Sequence, residues 1–235
     1  MKLIVPKQKD VLLPINNSDL FFPVGRVFCV GRNYAEHAKE MGDDPDRDPP
    51  FFFLKSASCV VPASFERQTF ISYPTCTSQF EYEVELVVVL GKGGFNLSRT
   101  QACDAVLGYA VGLDMTRRDL QTEAKKKGRP WEVGKSFEQS APISPIVLKN
   151  DDLAIDMANA EIGLKLNGRT MQISRTSNLT WSVEDIIAQL SQSFELRAGD
   201  VIMTGTPENV GAVNVGGNML AWVDGLGAIE VSVTD

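Results

Sequence analysis

Three glutamates alternate with other residues at the start of the segment FEYEVELVVVLGK, residues 80–92. In a β-strand alternate side chains point to the same face, so Glu81, Glu83 and Glu85 would share one face. From Val87 onward the segment is apolar on both faces, which is typical of an interior strand. Stacked carboxylates at the edge of a core raise one another's pKa or require a cation, and oxygen ligands suit a hard divalent ion. The pattern therefore indicates a candidate metal site.

The next candidate carboxylate is Asp114, at the end of the apolar run VLGYAVGLD. If a helix starts near Met115, then Asp114, Arg118 and Gln121 lie at i, i+4 and i+7 and face the same way. A guanidinium and an amide would then lie beside the third carboxylate. Such a group is suited to binding the carboxylate of a substrate.

The only histidine, His37, lies in the segment GRNYAEHAKEMG. A helix there would place Glu40 on the same face, and a carboxylate that fixes one imidazole tautomer makes a competent general base near neutral pH. Lys135, in WEVGKSF, has aromatic neighbours at Trp131 and Phe137 that would partly desolvate its ammonium. These residues are candidates for acid–base and electrostatic catalysis.

Each of these groups also has an ordinary structural interpretation. Acidic residues in strands are usually solvated or paired with a cation, because few charged residues are buried unpaired. A histidine with an acidic neighbour on a helix is commonly a weak surface pair, and so is an arginine four residues from an aspartate. A lysine is on the surface by default. The residue types and their spacing leave both interpretations open.

Strand signals dominate the elements that would position these residues. Runs rich in β-branched and aromatic residues, bounded by Gly, Pro, Asn or Asp, predict strands at RVFCVG, FFFLKSASCVV, EVELVVVLG, LGYAVGLDMT, EIGLKLNG, DVIMTG, NMLAWVDG and AIEVSVTD. The step LNGR at 166–169 predicts a hairpin with a type I′ turn. Helices are predicted at 33–41, from after Met115 to about Lys127, and at 182–191, with Ser182 as the cap. The polar, proline-rich loop at 42–50 is a candidate lid.

The composition restricts the class of protein. The 235 residues carry a formal net charge of -7, and no long apolar stretch has the length of a membrane span. We therefore expect a globular protein with neither nucleic acid nor membrane as a partner. The four cysteines form no CxxC pair, so we expect reduced, mostly buried thiols and no zinc site. The first residues do not have the pattern of a secretory signal or an organelle presequence, so the expected location is the cytoplasm. GxGxxG, Walker A and GxSxG motifs are absent.

Taken together, several segments resemble the fumarylacetoacetate hydrolase family and, more closely, its acylpyruvase branch. In chain order they are VGRNYAEHAKEM, FFFLK, EYEVELVVVLG, GYAVGLDMTRRDLQ, KKKGRPWEVGKSF and GDVIMTGTPENVG. The similarity covers nearly all of the chain from Arg26 onward. Within the branch, DPDRDPPFFF and LDMTRRDLQTEAKKKGRPW are most similar to fumarylpyruvate hydrolases of the gentisate route of aromatic breakdown.

The resemblance implies a β-rich α+β fold, a mixed β-sandwich roll of the fumarylacetoacetate hydrolase type with short peripheral helices. It implies an N-terminal extension at 1–25, a catalytic domain at 26–235, and assembly as a homodimer. Glu81 takes a position where relatives often carry His or Asp, so it is not counted among the ligands. The residues that the resemblance implies are Glu83, Glu85 and Asp114 for Mg²⁺ or Mn²⁺, His37 and Glu40 as a catalytic dyad, Lys135 as the active-site lysine, and Arg118, Gln121 and Thr206 for substrate.

The implied reaction is metal-dependent hydrolysis of a carbon–carbon bond in a small-molecule acylpyruvate, with fumarylpyruvate giving fumarate and pyruvate. Two alternatives keep the same metal site: an oxaloacetate decarboxylase or a keto–enol isomerase. A third alternative is a catalytically silent binding protein of the same fold. Retention of His37 and Glu40 favours hydrolysis, because a decarboxylase has no need to activate water.

Overall fold

The computed structural model describes residues 4–40, 49–149 and 156–235, and only the backbone of residues 38–40. Most of the candidate lid at 42–50 therefore lies outside the described residues, and so does the side chain of Glu40.

The described ranges are rich in strands and contain short helices. In chain order the strands are β1 (Leu12–Pro14), β2 (Phe21–Pro23), β3 (Val27–Gly31), β4 (Phe51–Lys55), β5 (Val60–Pro62), β6 (Thr69–Ser72), β7 (Phe80–Tyr82), β8 (Val84–Leu90), β9 (Val106–Leu113), β10 (Thr116–Arg117), β11 (Ala141–Ile143), β12 (Val147–Leu148), β13 (Glu161–Leu166), β14 (Arg169–Arg175), β15 (Val201–Met203), β16 (Gly211–Ala212), β17 (Asn218–Val223) and β18 (Gly227–Thr234). The α-helices are α1 (Ala35–Glu40), α2 (Arg99–Ala105), α3 (Arg118–Lys126), α4 (Glu132–Lys135) and α5 (Val183–Ser193). The predicted β-rich α+β class is confirmed.

Two large mixed sheets form the body of the protein. The larger has the order β4-β3-β15-β8-β9-β11-β5, with β12 paired to β9, and the second has the order β14-β13-β17-β18-β6. Leu86 and Val88 of β8 share one buried apolar core with Leu164 of β13 and Ala221 of β17, so the sheets pack face to face. Burial of these side chains is the main favourable contribution to folding.

The opposite face of the larger sheet has its own core. Val87 and Val89 of β8 point to this side, where the hairpin formed by β1 and β2 contributes Leu13 and Phe22. Strand β8 is therefore apolar on both faces because both faces are covered, as its sequence predicted.

The segment at 80–90 is not one strand, as the alternation suggested, but two. β7 belongs to a small sheet of order β10-β7-β16, whereas β8 belongs to the eight-stranded sheet. Glu83 lies between them, and the Val84 N–H that follows donates to the side chain of Gln172 from the second sheet (3.1 Å). Glu83 is thus the point at which the chain passes from one sheet to another.

The helix predicted from Met115 begins later than expected. Thr116 and Arg117 form β10, which pairs with Glu81 and Phe80 of β7, and α3 begins only at Arg118. The prediction that Asp114, Arg118 and Gln121 are spaced along one helix is therefore wrong, because the residues after Asp114 first pair with β7 as a strand.

Other local predictions are confirmed. The Ser182 side chain caps α5 by accepting from the Asp185 N–H (3.3 Å). Asn167 (φ 51) and Gly168 (φ 79) form the two-residue turn between β13 and β14, as a type I′ hairpin requires. None of the helices in the described ranges is long and apolar enough to cross a membrane.

The four cysteines are free thiols, as expected, but their burial differs from the prediction. Cys29 and Cys59 are buried, whereas Cys76 is exposed and Cys103 is half-buried. The prediction of mostly buried thiols is therefore wrong for two of them.

Candidate active site

One cavity brings together almost all of the residues that the sequence singled out. Its empty volume is about 520 Å³, including its opening to solvent. Among the residues that line it are Glu83, Glu85, Asp114, His37, Arg118, Gln121, Lys135 and Thr206. The remaining predicted residue, Glu40, has its side chain outside the described residues, so its place relative to His37 stays a prediction.

Three carboxylates converge on the floor of this cavity. Glu83 precedes β8, Glu85 is its second residue, and Asp114 follows the neighbouring strand β9. The Asp114 N–H donates to the Glu83 carbonyl (2.8 Å), which extends the pairing of β8 with β9 by one step. One carboxylate oxygen from each residue lies within 4.8 Å of the others, and all three side chains are buried. Acidic residues that are distant in sequence therefore meet because two antiparallel strands end together.

Glu83 is balanced by two cations. Its Oε2 accepts from Lys135 Nζ (2.7 Å), and its Oε1 accepts from Arg118 Nη2. Burial raises the pKa of Glu83, but Lys135 and Arg118 outweigh burial, with a smaller contribution from His37, so the pKa lies below its usual range. Glu83 is therefore held in its ionised form.

Glu85 has the opposite electrostatic environment. Burial, followed by the charges of Asp114 and Glu83, raises its pKa well above the ordinary value, although the Gly205 N–H donates to its Oε2 (2.8 Å). A divalent cation among these oxygens would offset the repulsion, and carboxylate oxygens are the donors that Mg²⁺ and Mn²⁺ prefer. The donor set thus fits a hard divalent ion.

Glu81 does not belong to this group of three. Its Oε2 accepts from Arg118 Nε (2.6 Å) and its Oε1 from Gln79 Nε2 (2.7 Å). Arg118 Nη1 in turn donates to Gln121 Oε1 (2.5 Å). The three alternating glutamates therefore differ in their contacts: Glu83 and Glu85 belong to the carboxylate cluster, and Glu81 accepts from the Arg118 guanidinium.

Lys135, the last residue of α4, is buried between two of the carboxylates. Its Nζ donates to Glu83 Oε2 (2.7 Å) and to Asp114 Oδ2 (2.8 Å). Burial lowers its pKa, but Asp114 and Glu83 outweigh burial and raise the pKa above the ordinary value. The predicted neighbour Trp131 lines the same cavity, and its ring packs against that of Phe53 (centroids 5.7 Å apart). The ring beneath the ammonium, that of Phe53 at 5.3 Å from Nζ to the centroid, was not predicted. The reason is that β4, distant in sequence, packs against α4.

Sequence reasoning missed Lys55, the last residue of β4. Its Nζ is fully buried and lies 2.8 Å from Asp114 Oδ1. It also donates to Ser140 Oγ (3.0 Å), to the Met115 carbonyl (3.2 Å) and to the Lys135 carbonyl. The ammonium therefore holds both Asp114 and the backbone of Lys135 from behind the cavity. The available signal was a lysine at the end of the apolar run FFFLK. A lysine at the end of a buried strand must have a partner, because lysines are almost never fully buried unless paired.

We expect Lys55→Met to weaken Mn²⁺ binding about ten- to hundred-fold, the usual effect of removing a group that orients a metal ligand. Loss of a positive charge would by Coulomb attraction alone tighten cation binding, so the sign of the change separates orientation from charge. Titration calorimetry with Mn²⁺ measures it, with Lys92→Met, an exposed lysine, as the matched control. Tighter binding in Lys55→Met would contradict the orienting role.

His37 and Thr206 enter the cavity from two segments that are fixed to each other. His37 lies on α1 and is only 7% exposed. The Asn33 side chain, just before α1, donates to the carbonyls of Thr204 (2.8 Å) and Trp181 (3.0 Å). A Cβ at Gly205 (φ +103) would lie 2.8 Å from Asn33 Cβ, so only glycine allows this approach. The loop that carries Thr206 therefore packs directly against Asn33, just before the helix that carries His37.

Gln172 of β14 is a second residue that sequence reasoning missed. It is fully buried, and its Oε1 accepts from the Val84 N–H (3.1 Å). Its Nε2 donates to Thr206 Oγ1 (3.0 Å) and to the Pro207 carbonyl (2.8 Å). One amide thus joins the second sheet to the break before β8 and to the loop of Thr206. A glutamine in a strand has no local signal for such a role.

Comparisons with known proteins identify the family of this chain. The family described as fumarylacetoacetate (FAA) hydrolase, C-terminal, matches residues 26–234. The crystal structure of fumarylpyruvate hydrolase from Pseudomonas aeruginosa in complex with Mn²⁺ and pyruvate is 48% identical, with a TM-score of 0.96 and coverage of 99% of both chains.

Two curated relatives differ in their reactions. The fumarylpyruvate hydrolase of a Ralstonia species is 43% identical over 190 residues, which are 81% of this chain and 95% of the relative. The mitochondrial oxaloacetate tautomerase FAHD1 of Bos taurus is 39% identical over 207 residues, which are 88% of this chain and 90% of the relative. The similarity therefore extends over hydrolytic and isomerising enzymes.

Proposed function

Because this chain belongs to the fumarylacetoacetate hydrolase family, we propose that it hydrolyses the carbon–carbon bond of acylpyruvates, with fumarylpyruvate as the leading substrate. The observation that carries the proposal is the convergence of Glu83, Glu85 and Asp114 in a cavity that His37 also lines. A cluster of oxygen ligands beside a potential base is suited to metal-assisted hydrolysis.

Glu83, Glu85 and Asp114 would hold the divalent ion, for which Mg²⁺ and Mn²⁺ both match the oxygen donors. When bound, the ion would supply a Lewis acid for the carboxylate and oxo oxygens at the pyruvoyl end of the substrate.

His37 would act as the general base. In this role its imidazole takes a proton from water, and the oxygen of that water attacks the acyl carbonyl carbon. Glu40 is proposed to orient the imidazole. The bond between the acyl carbon and the adjacent methylene then breaks, and its electron pair passes to the pyruvoyl fragment as an enolate. The products are the carboxylic acid and, after protonation of the enolate carbon, pyruvate.

Lys135, Arg118 and Gln121 would hold oxygens that gain charge during the reaction. The ammonium of Lys135 is buried, so its interaction with a developing oxyanion would be stronger than in water. The Arg118 guanidinium is oriented by Glu81 and presents its remaining donors together with the Gln121 amide. Thr206, which also lines the cavity, is proposed as a further contact to substrate.

A keto–enol isomerase is the second candidate function. The oxaloacetate tautomerase FAHD1 of Bos taurus is 39% identical, and an enolate stabilised at the pyruvoyl end serves isomerisation, decarboxylation and hydrolysis alike. Hydrolysis requires an activated water whereas decarboxylation does not, so the buried His37 beside the carboxylates favours hydrolysis over decarboxylation.

A panel of substrates tests the proposal. We expect the purified protein with Mg²⁺ or Mn²⁺ to cleave fumarylpyruvate and acetylpyruvate to pyruvate, and to lose this activity after chelation. Oxaloacetate tautomerisation and decarboxylation are assayed in parallel under the same conditions. Turnover of oxaloacetate without cleavage of any acylpyruvate would contradict hydrolysis and support the isomerase or decarboxylase. Cation binding without turnover of any compound would indicate a silent binding protein.

A further inference from the structure

The outer part of the cavity contains two cationic side chains that the proposed reaction does not use. Arg32 and Lys125 line the cavity together with the aromatic rings of Phe53 and Trp131. Arg32 follows β3 and is half-buried, whereas Lys125 lies in the last turn of α3 and is exposed. The cavity thus has an acidic floor and a rim with cations and aromatic rings.

The backbone of Arg32 is held in an unusual conformation. Its φ is +62°, in the left-handed region that a long side chain such as arginine seldom adopts. The residues on both sides fix it: the ring of Phe51 lies where a Cβ of Gly31 would be, 2.0 Å from Cζ, and the Asn33 amide is bonded to two loop carbonyls. The guanidinium carbon lies 5.1 Å from the centroid of the Phe51 ring. Strained backbone that its surroundings hold in place is typical of binding sites.

Helix α3 places a second cation about two turns beyond Arg118. Arg118, Gln121 and Lys125 are at i, i+3 and i+7 and line the same cavity. Seven residues of α-helix rise on the order of 10 Å from Arg118 to Lys125. The two terminal carboxylates of an extended molecule such as fumarylpyruvate are roughly 7–8 Å apart, at the extension per bond of a covalent chain. The separation along α3 is therefore close to the length of such a substrate.

We propose that Arg32 and Lys125 form an anion site for the distal end of the substrate, which selects acylpyruvates whose acyl group ends in a carboxylate. This inference rests on the proposed hydrolysis of acylpyruvates. The pyruvoyl end would lie at the carboxylate floor, and the acyl chain would extend past Gln121 along the packed rings of Phe53 and Trp131 toward the two cations.

Charge supports this assignment. The protein carries a formal net charge of -7, so a substrate with two negative ends is repelled by the molecule as a whole. A site that contains two cationic side chains interacts more favourably with a dianion than with a monoanion. An arginine also binds a carboxylate through two parallel hydrogen bonds, which specifies orientation as well as charge.

The test compares fumarylpyruvate with its terminal carboxamide, which differs only in the distal charge. We expect Lys125→Gln and Arg32→Gln each to lower kcat/KM for fumarylpyruvate about ten- to hundred-fold, the usual effect of losing a hydrogen bond to a charged group. The ratio of kcat/KM for fumarylpyruvate to kcat/KM for the carboxamide should fall about ten-fold or more in each single variant. In the double variant this ratio should approach one. Arg32→Gly is a second variant that removes the cation, and glycine accepts the positive φ at this position.

Lys126→Gln and Arg169→Gln are the matched controls, because both residues are exposed and neither is among those lining the cavity. Equal losses on both substrates, or an unchanged ratio in all Arg32 and Lys125 variants, would overturn the anion site while leaving the hydrolysis intact. Failure of the wild type to cleave either compound would instead refute the proposed function, and the inference with it. The two failures are therefore distinguishable.

Discussion

Replacing Glu85 with glutamine is expected to abolish binding of Mn²⁺ or Mg²⁺, and hydrolysis with it, while the metal-free fold remains at least as stable as the wild type. Burial and the charges of Asp114 and Glu83 disfavour an ionised Glu85 in the absence of a cation. A neutral amide of the same shape removes this repulsion and also removes a ligand. Titration calorimetry and thermal unfolding in the presence of a chelator measure the two effects separately.

Glu83→Gln should abolish the same binding and activity but with the opposite effect on stability. Lys135 and Arg118 both donate to Glu83, so the substitution leaves buried cations with one carboxylate fewer. Removing one partner of a buried ion pair typically costs about 3–5 kcal/mol of unfolding free energy. Glu66→Gln, at an exposed position, is the control for both variants. Wild-type Mn²⁺ affinity in Glu83→Gln or Glu85→Gln would show that the residue concerned is not a ligand.

His37→Ala is expected to lower turnover of acylpyruvates about 10²- to 10⁴-fold, the range that a positioned general base typically contributes. Affinity for Mn²⁺ should change by less than about three-fold, because the three carboxylates of the cavity floor remain. Steady-state kinetics and calorimetry on the same preparation separate catalysis from metal binding. Partial recovery of turnover on addition of imidazole would identify the lost group as the base.

The same variant separates hydrolysis from decarboxylation. Oxaloacetate decarboxylation needs no activated water, so His37→Ala should reduce hydrolysis far more than decarboxylation. Acylpyruvate cleavage at the parental rate in His37→Ala would show that the base has been assigned to the wrong residue.

Much of the fold was predictable because its signals are local. Alternation and β-branched residues identified the main strands, the AsnGly pair defined the hairpin between β13 and β14, and Ser182 marked the start of α5. Helix α2 was missed although its signal was also local, since Ser98 and Gln101 form a capping box. The division of residues 80–90 into β7 and β8 was not predictable locally, because partners from other parts of the chain cause it.

The candidate site also combines residues that were predictable from the sequence with residues whose roles depend on distant contacts. The positions of Glu83, Glu85 and Asp114 followed from strand ends and from family resemblance, and the structure brings them together. The roles of Lys55 and Gln172 depend on contacts between segments far apart in sequence. The ring of Phe53 beneath Lys135 was missed for the same reason, because Phe53 comes from a strand distant in sequence.

The crossing of the chain from one sheet to the other at Glu83 also determines when during folding the site forms. The carboxylate floor requires β8 to pair with β9, and Gln172 reaches the same point from the second sheet. Such non-local pairings form slowly, since the loops between them must close first. The divalent ion would then bind only in the final stage of folding. A nascent or partly collapsed chain would lack the assembled carboxylate cluster and could not bind a cation there.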